Sequence, residues 1–220
     1  MEINIDYYKL YKFQDTILSL VMSLENDFYL TGGTALHRFY LHSRYSVDLD
    51  FFVSNAPHFY EDFNEILESI KAQGFSVKQE VSFRDFYRIR INEDLQVDFV
   101  NDRVYRYGKS NVISGFRIDS PLNILANKIT ALVSRDEEKD FYDICCCALN
   151  MDFNWHTLLE IANKKALIEK ETLIYRLKCF PLPWLSKIKT LKPFTITPEI
   201  IETMCDDILK ESTNNLYKQK

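Results

Sequence analysis

Residues 28–53 read FYLTGGTALHRFYLHSRYSVDLDFFV. Residues 28–31 predict a short strand that runs into Gly32-Gly33. Leu36, Phe39 and Tyr40 then predict a helix from about Thr34 to His42. Residues 48–53 predict a second strand. Alternate strand residues share a face, so Asp48 and Asp50 point one way and Leu49 and Phe51 the other, into a core. Glycines between a strand and a helix let the backbone approach a ligand, and the helix start offers unpaired N–H groups that suit a phosphate. The same pair also serves as a plain tight turn. Two carboxylates about 7 Å apart at Cα repel each other unless a cation compensates. They fit a divalent metal, or a strand end facing solvent.

Outward from this stretch, residues 7–26 predict a helix, and Pro57 suits the start of another that ends near Gly74. The period then changes to two: runs 76–82, 86–92 and 95–101 alternate, with short spacers that suggest antiparallel hairpins. Residues 106–118 are ambiguous, with room for a further strand. Helical spacing returns over 121–134, 138–150, 155–163, 167–178 and 198–211, with prolines at 181, 183, 193 and 198 between the last two. The reading is α+β: a mixed sheet with flanking helices over 1–118, then a helical region over 119–220.

Composition narrows the classes. The chain has 220 residues, 46% of them hydrophobic, and a formal net charge of −5, so it builds a real core rather than a disordered tract. No charge-free run exceeds ten residues, against about 20 for a membrane-spanning helix. The start, MEINIDYYKL, has no basic n-region and no apolar h-region, so no signal peptide and a cytoplasmic location are expected. Five cysteines stand at 145, 146, 147, 179 and 205. Three in a row do not have zinc-ligand spacing, and they read as small apolar side chains on a helix.

Two further groups carry chemistry. Asp98 sits inside the apolar strand LQVDFV, where an acid is disfavoured. A neighbouring strand brings it to the Asp48/Asp50 site, or else it pairs with Arg88 or Arg90 across the hairpin. Lys128, Arg135, Asp136, Lys139, Asp140 and Asp143 stand at helical spacings that fit a surface ladder of ion pairs. The apolar residues Phe141, Ile144 and Ala148 beside them argue for a boundary or a cleft.

The order and spacing of these groups match the nucleotidyltransferase fold. Gly32-Gly33-Thr34-Ala35-Leu36, then Arg44-x-Ser46-x-Asp48-Leu49-Asp50-Phe51, then Lys128-x-x-Ala131-Leu132-x-x-Arg135-x-x-x-Lys139-Asp140-x-Tyr142-Asp143 closely resemble the AbiEii/AbiGii toxin family of nucleotidyltransferases, to which the MenT toxins are related. The resemblance covers about residues 25–150. It implies that Gly32, Gly33 and Thr34 hold nucleotide phosphates, that Asp48 and Asp50 bind Mg²⁺, and that Lys128 contacts the triphosphate. Asp140 and Asp143 fall in the fourth motif, whose aspartate serves the reaction. Arg44, in the same run as Ser46, becomes a phosphate contact. By analogy with the wider fold, Asp98 becomes the third carboxylate, a metal ligand or proton acceptor.

The implied function is Mg²⁺-dependent transfer of a nucleotide from an NTP to an acceptor hydroxyl by a toxin with an antitoxin partner. For the acceptor, residues 46–70 carry six acids and no Lys or Arg, whereas 163–192 carry eight Lys or Arg against two acids. Basic tracts with Tyr105, Tyr107, Tyr175 and Trp184 among them suit RNA, tRNA included, or are ordinary solvated helix faces. A small molecule or a protein hydroxyl as acceptor remains an alternative, as does a non-catalytic nucleotide-binding module.

Overall fold

The structure, a computed structural model, describes residues 6–193 and 195–218. The first five residues, on which part of the signal-peptide reading rests, lie outside the described residues. The chain divides into two compact units, one formed by residues 6–35, 46–103 and 109–119, the other by 36–45, 104–108 and 120–218.

The first unit is built on a seven-stranded sheet. Its elements are α1 (Tyr7–Ser23), β1 (Tyr29–Thr31), the start of α2 (Gly32–Leu36), β2 (Leu49–Ser54), α3 (Phe59–Ala72), β3 (Val77–Phe83), β4 (Phe86–Ile91), β5 (Leu95–Asp102), β6 (Asn111–Ile113) and β7 (Phe116–Ile118). The strand order is β3-β4-β5-β2-β1-β7-β6. β2 runs parallel to β5 and β1 parallel to β7, and the remaining neighbours are antiparallel. Leu49, Phe51 and Val53 are buried while Asp50 and Phe52 are half-buried, the alternation expected for β2. The face that carries Phe51 also carries Val97, Phe99, Tyr87 and Ile89 in register. Phe51 and Phe99 stack at 5.3 Å, and α3 lays Phe63 on Tyr87 at 4.1 Å.

Local chemistry sets the element ends. Asp6 caps α1 by accepting from the Lys9 N–H. α1 stops at Ser23, three residues early, because the Asn26 amide donates to the carbonyls of Val21 and Leu24. The ambiguous stretch 106–118 contains the β6–β7 hairpin, turned at Ser114 and Gly115 with φ of +52° and +84°. Two positive φ values make the turn type whose twist matches its strands. Three-residue strands are too short to display an alternation, which is why the sequence was equivocal there.

The second unit is helical: α4 (Pro121–Ser134), α5 (Glu138–Asn150), α6 (Trp155–Lys165), α7 (Lys170–Lys178), a 3₁₀ turn (Leu182–Lys187), α8 (Pro198–Lys210) and α9 (Asn215–Lys218). Ser120, Asn154 and Thr197 cap α4, α6 and α8 by accepting from the N–H three residues on. Cys145, Cys146 and Cys147 are fully buried in α5, and all five cysteines are free thiols. Burial pushes the Cys146 thiol up to about 12. This unit also holds a π-turn at His37–Leu41, which continues α2 where an ordinary helix was expected. Among the described residues no helix is long and apolar enough to cross a membrane.

Candidate active site

In the sheet unit, three register pairs join residues of four adjacent strands into one polar row. The register pairs Thr31 with Asp50, Asp50 with Asp98, and Asp98 with Arg88. Just past β7, Asp119 extends the row: its N–H donates to Leu30 O, and its carboxylate accepts from the Thr31 hydroxyl at 2.8 Å. The row thus reads Asp119, Thr31, Asp50, Asp98, Arg88 on the side of the sheet opposite Phe51 and Phe99. Asp48 lies two residues before Asp50, on the same side of the chain.

The turn after β1 is fitted to this row. Gly32 has φ of +69°, and a Cβ there would run into Oδ2 of Asp50. The Asp50 carboxylate therefore packs directly on the backbone of the glycine turn. Thr34 is fully buried and its hydroxyl donates to the Asp48 carbonyl oxygen, which fastens the helix start to the head of β2. Ser46 is held by its main chain: its N–H donates to the Tyr11 hydroxyl and its carbonyl accepts from the Gln14 amide. Gly32→Ala loses the open conformation and collides with Asp50. We expect a loss of about 1–3 kcal/mol in a denaturant titration, together with the loss of any activity that needs Asp50.

Asp98 stands beside Asp50, and Arg88 holds both of its oxygens at 2.7 Å. Of the two readings left open for Asp98, the structure shows the arginine pair, formed by Arg88 while Asp98 lies in register with Asp50. Among the described residues no three His, Cys, Asp or Glu side chains are grouped to hold a metal on their own. A hard divalent cation held here would take Asp48 and Asp50 as its protein ligands, with further oxygens from outside the protein. The space a side chain at position 32 would need is taken by the Asp50 carboxylate.

The remaining predicted residues meet in the helical unit, around Asp143. Arg44 donates from Nε and Nη2 to the two Asp143 oxygens at 2.7 and 2.8 Å. Lys128 Nζ bonds Asp143 at 2.9 Å and Asp140 at 2.8 Å, and Arg135 Nε reaches the other Asp140 oxygen. His37 Nε2 lies 2.7 Å from Asp143. Asp140, Asp143 and Arg44 are buried, so this is no surface ladder. α4 ends at Ser134, so Lys128 and Arg135 do not share one helix, and they meet Asp140 of α5 from two sides. Arg44, expected to contact phosphate, spends its guanidinium on Asp143 and the Tyr45 carbonyl.

Burial opposes ionisation of Asp143, but Arg44, Lys128 and His37 outweigh it and hold the carboxyl well below the usual range. Burial likewise works against the Lys128 ammonium, and Asp143 and Asp140 overcome it, so its pKa is raised. For His37 burial wins over the Asp143 charge and the pKa is lowered. A neutral His37 protonated at Nε2 donates that N–H to the Asp143 carboxylate as a hydrogen bond. Below about pH 6.5 an unfolded histidine takes up a proton that folded His37 refuses. Its contribution is therefore full above that pH and falls as pH drops, by at most about 1.4 kcal/mol per pH unit. His156, raised by its hydrogen bond to Glu211, works the other way. The check is the difference in stability between the intact protein and His37→Gln from pH 7 to pH 5, where the variant should show the flatter acid limb.

The family model for the AbiEii nucleotidyl transferase toxin of type IV toxin–antitoxin systems matches residues 20–215. The chain belongs to this family. The match runs well past residue 150, where the motifs stop, so the helices after α5 are part of the AbiEii pattern. An uncharacterised Aquifex aeolicus protein, aq_aa25, is 29% identical over 170 residues, 71% of this chain and 76% of that one. The crystal structure of JHP933 from Helicobacter pylori superposes with a TM-score of 0.62 at 19% identity, over 99% of this chain and 96% of that one. A second H. pylori structure, of a candidate nucleotidyltransferase, gives the same TM-score and identity over 99% of both chains. At this identity they show that the AbiEii-family chain has their fold.

Sequence reading missed His37 and Asp119. Neither sits in a polar pattern: His37 lies in an apolar helix and Asp119 in the tripeptide before Pro121. Only the strand register and the α5 contacts reveal their partners.

Proposed function

We propose that this nucleotidyltransferase uses Mg²⁺ bound by Asp48 and Asp50 to transfer a nucleotide from an NTP to a hydroxyl of RNA, and that it is the toxin of a pair with an antitoxin, acting in the cytoplasm. The observation that carries this reading is the packing of the Asp50 carboxylate on the Gly32 turn. Asp50 lies against the backbone where a helix begins, so a cation on Asp50 would stand next to N–H groups that suit a phosphate. When bound, the cation supplies Lewis-acid stabilisation of the phosphate oxygens.

The chain's own residues account for the rest. The Gly32-Gly33-Thr34 backbone receives phosphate oxygens, and Thr34 keeps that turn fixed on β2 through its bond to Asp48. The acceptor oxygen attacks the α-phosphorus, the bond to the β-phosphate oxygen breaks, pyrophosphate leaves, and the hydroxyl proton passes to a carboxylate of the row or to water. Arg88 neutralises Asp98, which lets it stand in register beside Asp50 on the neighbouring strand. Asp140 and Asp143 hold the Lys128 ammonium and keep it charged within the helical unit. Positioning and charge thus supply the rate effect.

The test offers each α-labelled NTP with Mg²⁺ to total RNA, to small aminated or hydroxylated acceptors, and to protein. Label entering RNA supports the reading. Label entering only small molecules or protein replaces the acceptor, and absence of NTP binding would replace the enzyme reading with a binding module.

A further inference from the structure

The basic tract of the helical unit resolves into paired and unpaired halves. Lys170 bonds Glu211, Arg176 bonds Asp136 and Lys178 bonds Glu202. Residues 172–198 contain no acid in a chain whose net charge is −5. Within them Lys187, Lys189 and Lys192 are exposed, and among the described residues none of the three is ion-paired to a carboxylate. Their segment is held in place. The Lys189 carbonyl accepts from Tyr45 N–H, and Leu191 N–H donates to the Ser43 carbonyl.

Next to Lys187 is a cleft of about 200 Å³ lined by Tyr175, Phe180, Trp184 and the Arg176–Asp136 ion pair. Its floor is rigid: Phe180 stacks on Phe141 at 4.1 Å and meets Trp184 edge-on at 6.0 Å. Its rim is open, with Tyr175 65% and Trp184 40% exposed. The Lys187 ammonium lies over the Trp184 ring, 5.0 Å from its centre. Exposed aromatic faces beside uncompensated cations are what an unpaired nucleotide binds: the base stacks and the phosphates take the charge.

We propose that this cleft is a subsite for single-stranded RNA, with one unpaired base on Trp184 and Tyr175 and the adjoining phosphates on Lys187, Lys189 and Lys192. The proposal deepens, and rests on, the reading of RNA as acceptor. It adds where the helical unit grips the strand, and it explains why so acidic a chain keeps an acid-free tract.

Trp184 is its own reporter, because Trp155, the chain's second tryptophan, is fully buried. The probe is a short unpaired oligouridylate, titrated into the full chain without NTP. We expect quenching of tryptophan emission and binding weakened about 5- to 100-fold by Trp184→Ala, with Trp184→Phe retaining most of the affinity. Replacing the three lysines with glutamine should lower the slope of log affinity against log salt by about 2. NTP binding should be unchanged in every variant. Equal oligonucleotide affinity for the intact protein and Trp184→Ala, or no oligonucleotide binding at low salt, overturns the proposal. If these variants instead lose only their grip on a purified antitoxin, the cleft is a protein-docking site and the RNA assignment is wrong. The acceptor reading fails separately: RNA gripped through Trp184 but never labelled would leave the subsite standing and remove the reaction.

Discussion

Asp50→Ala lowers nucleotidyl transfer by about 10³-fold or more while leaving the melting temperature near that of the intact protein. Asp50 is half-buried at the head of β2 and bears on the Gly32 backbone, not on the apolar face. Its removal makes no cavity among Leu49, Phe51 and Phe99. It also takes one negative charge from a row that places Asp98 in register beside it, so like-charge repulsion falls. Transfer assays beside a thermal melt check it. A large drop in melting temperature with activity retained per folded molecule would make Asp50 structural.

Asp143→Ala should do the reverse and strike stability first. Its carboxylate is fully buried among Arg44, Lys128 and His37. Truncation leaves the Arg44 guanidinium buried without its counter-charge. Breaking a buried pair from one side costs about 3–5 kcal/mol. For a protein of this size that is roughly 6–20 °C in melting temperature. Asp143→Asn keeps the shape and some hydrogen bonds but not the charge, and should fall between. Denaturant titrations of the three proteins decide it. If Asp143→Ala unfolds at the intact protein's midpoint, the cluster contributes nothing net to the fold.

The strands and helices were largely legible because their periods are clean: DLDFFV alternates, and α5 presents an apolar face around its charges. The Gly32 turn and Asp48/Asp50 were legible as a pattern, since spacing along one strand fixes which side chains share a face. What lay hidden depends on partners far apart in sequence. Asp98 was read as a metal ligand or an arginine partner, and only the β4–β5 register shows Arg88 closing on both oxygens. Arg44 was expected to contact phosphate from its place in the family's Arg44-x-Ser46-x-Asp48-x-Asp50 run. It is 99 positions from the aspartate that binds it. The π-turn at His37–Leu41 has the composition of an ordinary helix, and its tie to Asp143 is a tertiary contact that no local pattern announces.

The central claim is transfer of a nucleotide, rather than a phosphate, from a site made by Gly32, Asp48 and Asp50. The direct measurement runs one NTP in two labelled forms, at the α- and at the γ-phosphate, with Mg²⁺ and RNA. The account predicts that α-label enters the acceptor, that γ-label appears only in pyrophosphate, and that both signals vanish in Asp50→Ala. Incorporation of γ-label, or α-label transfer that survives in Asp50→Ala, would contradict it.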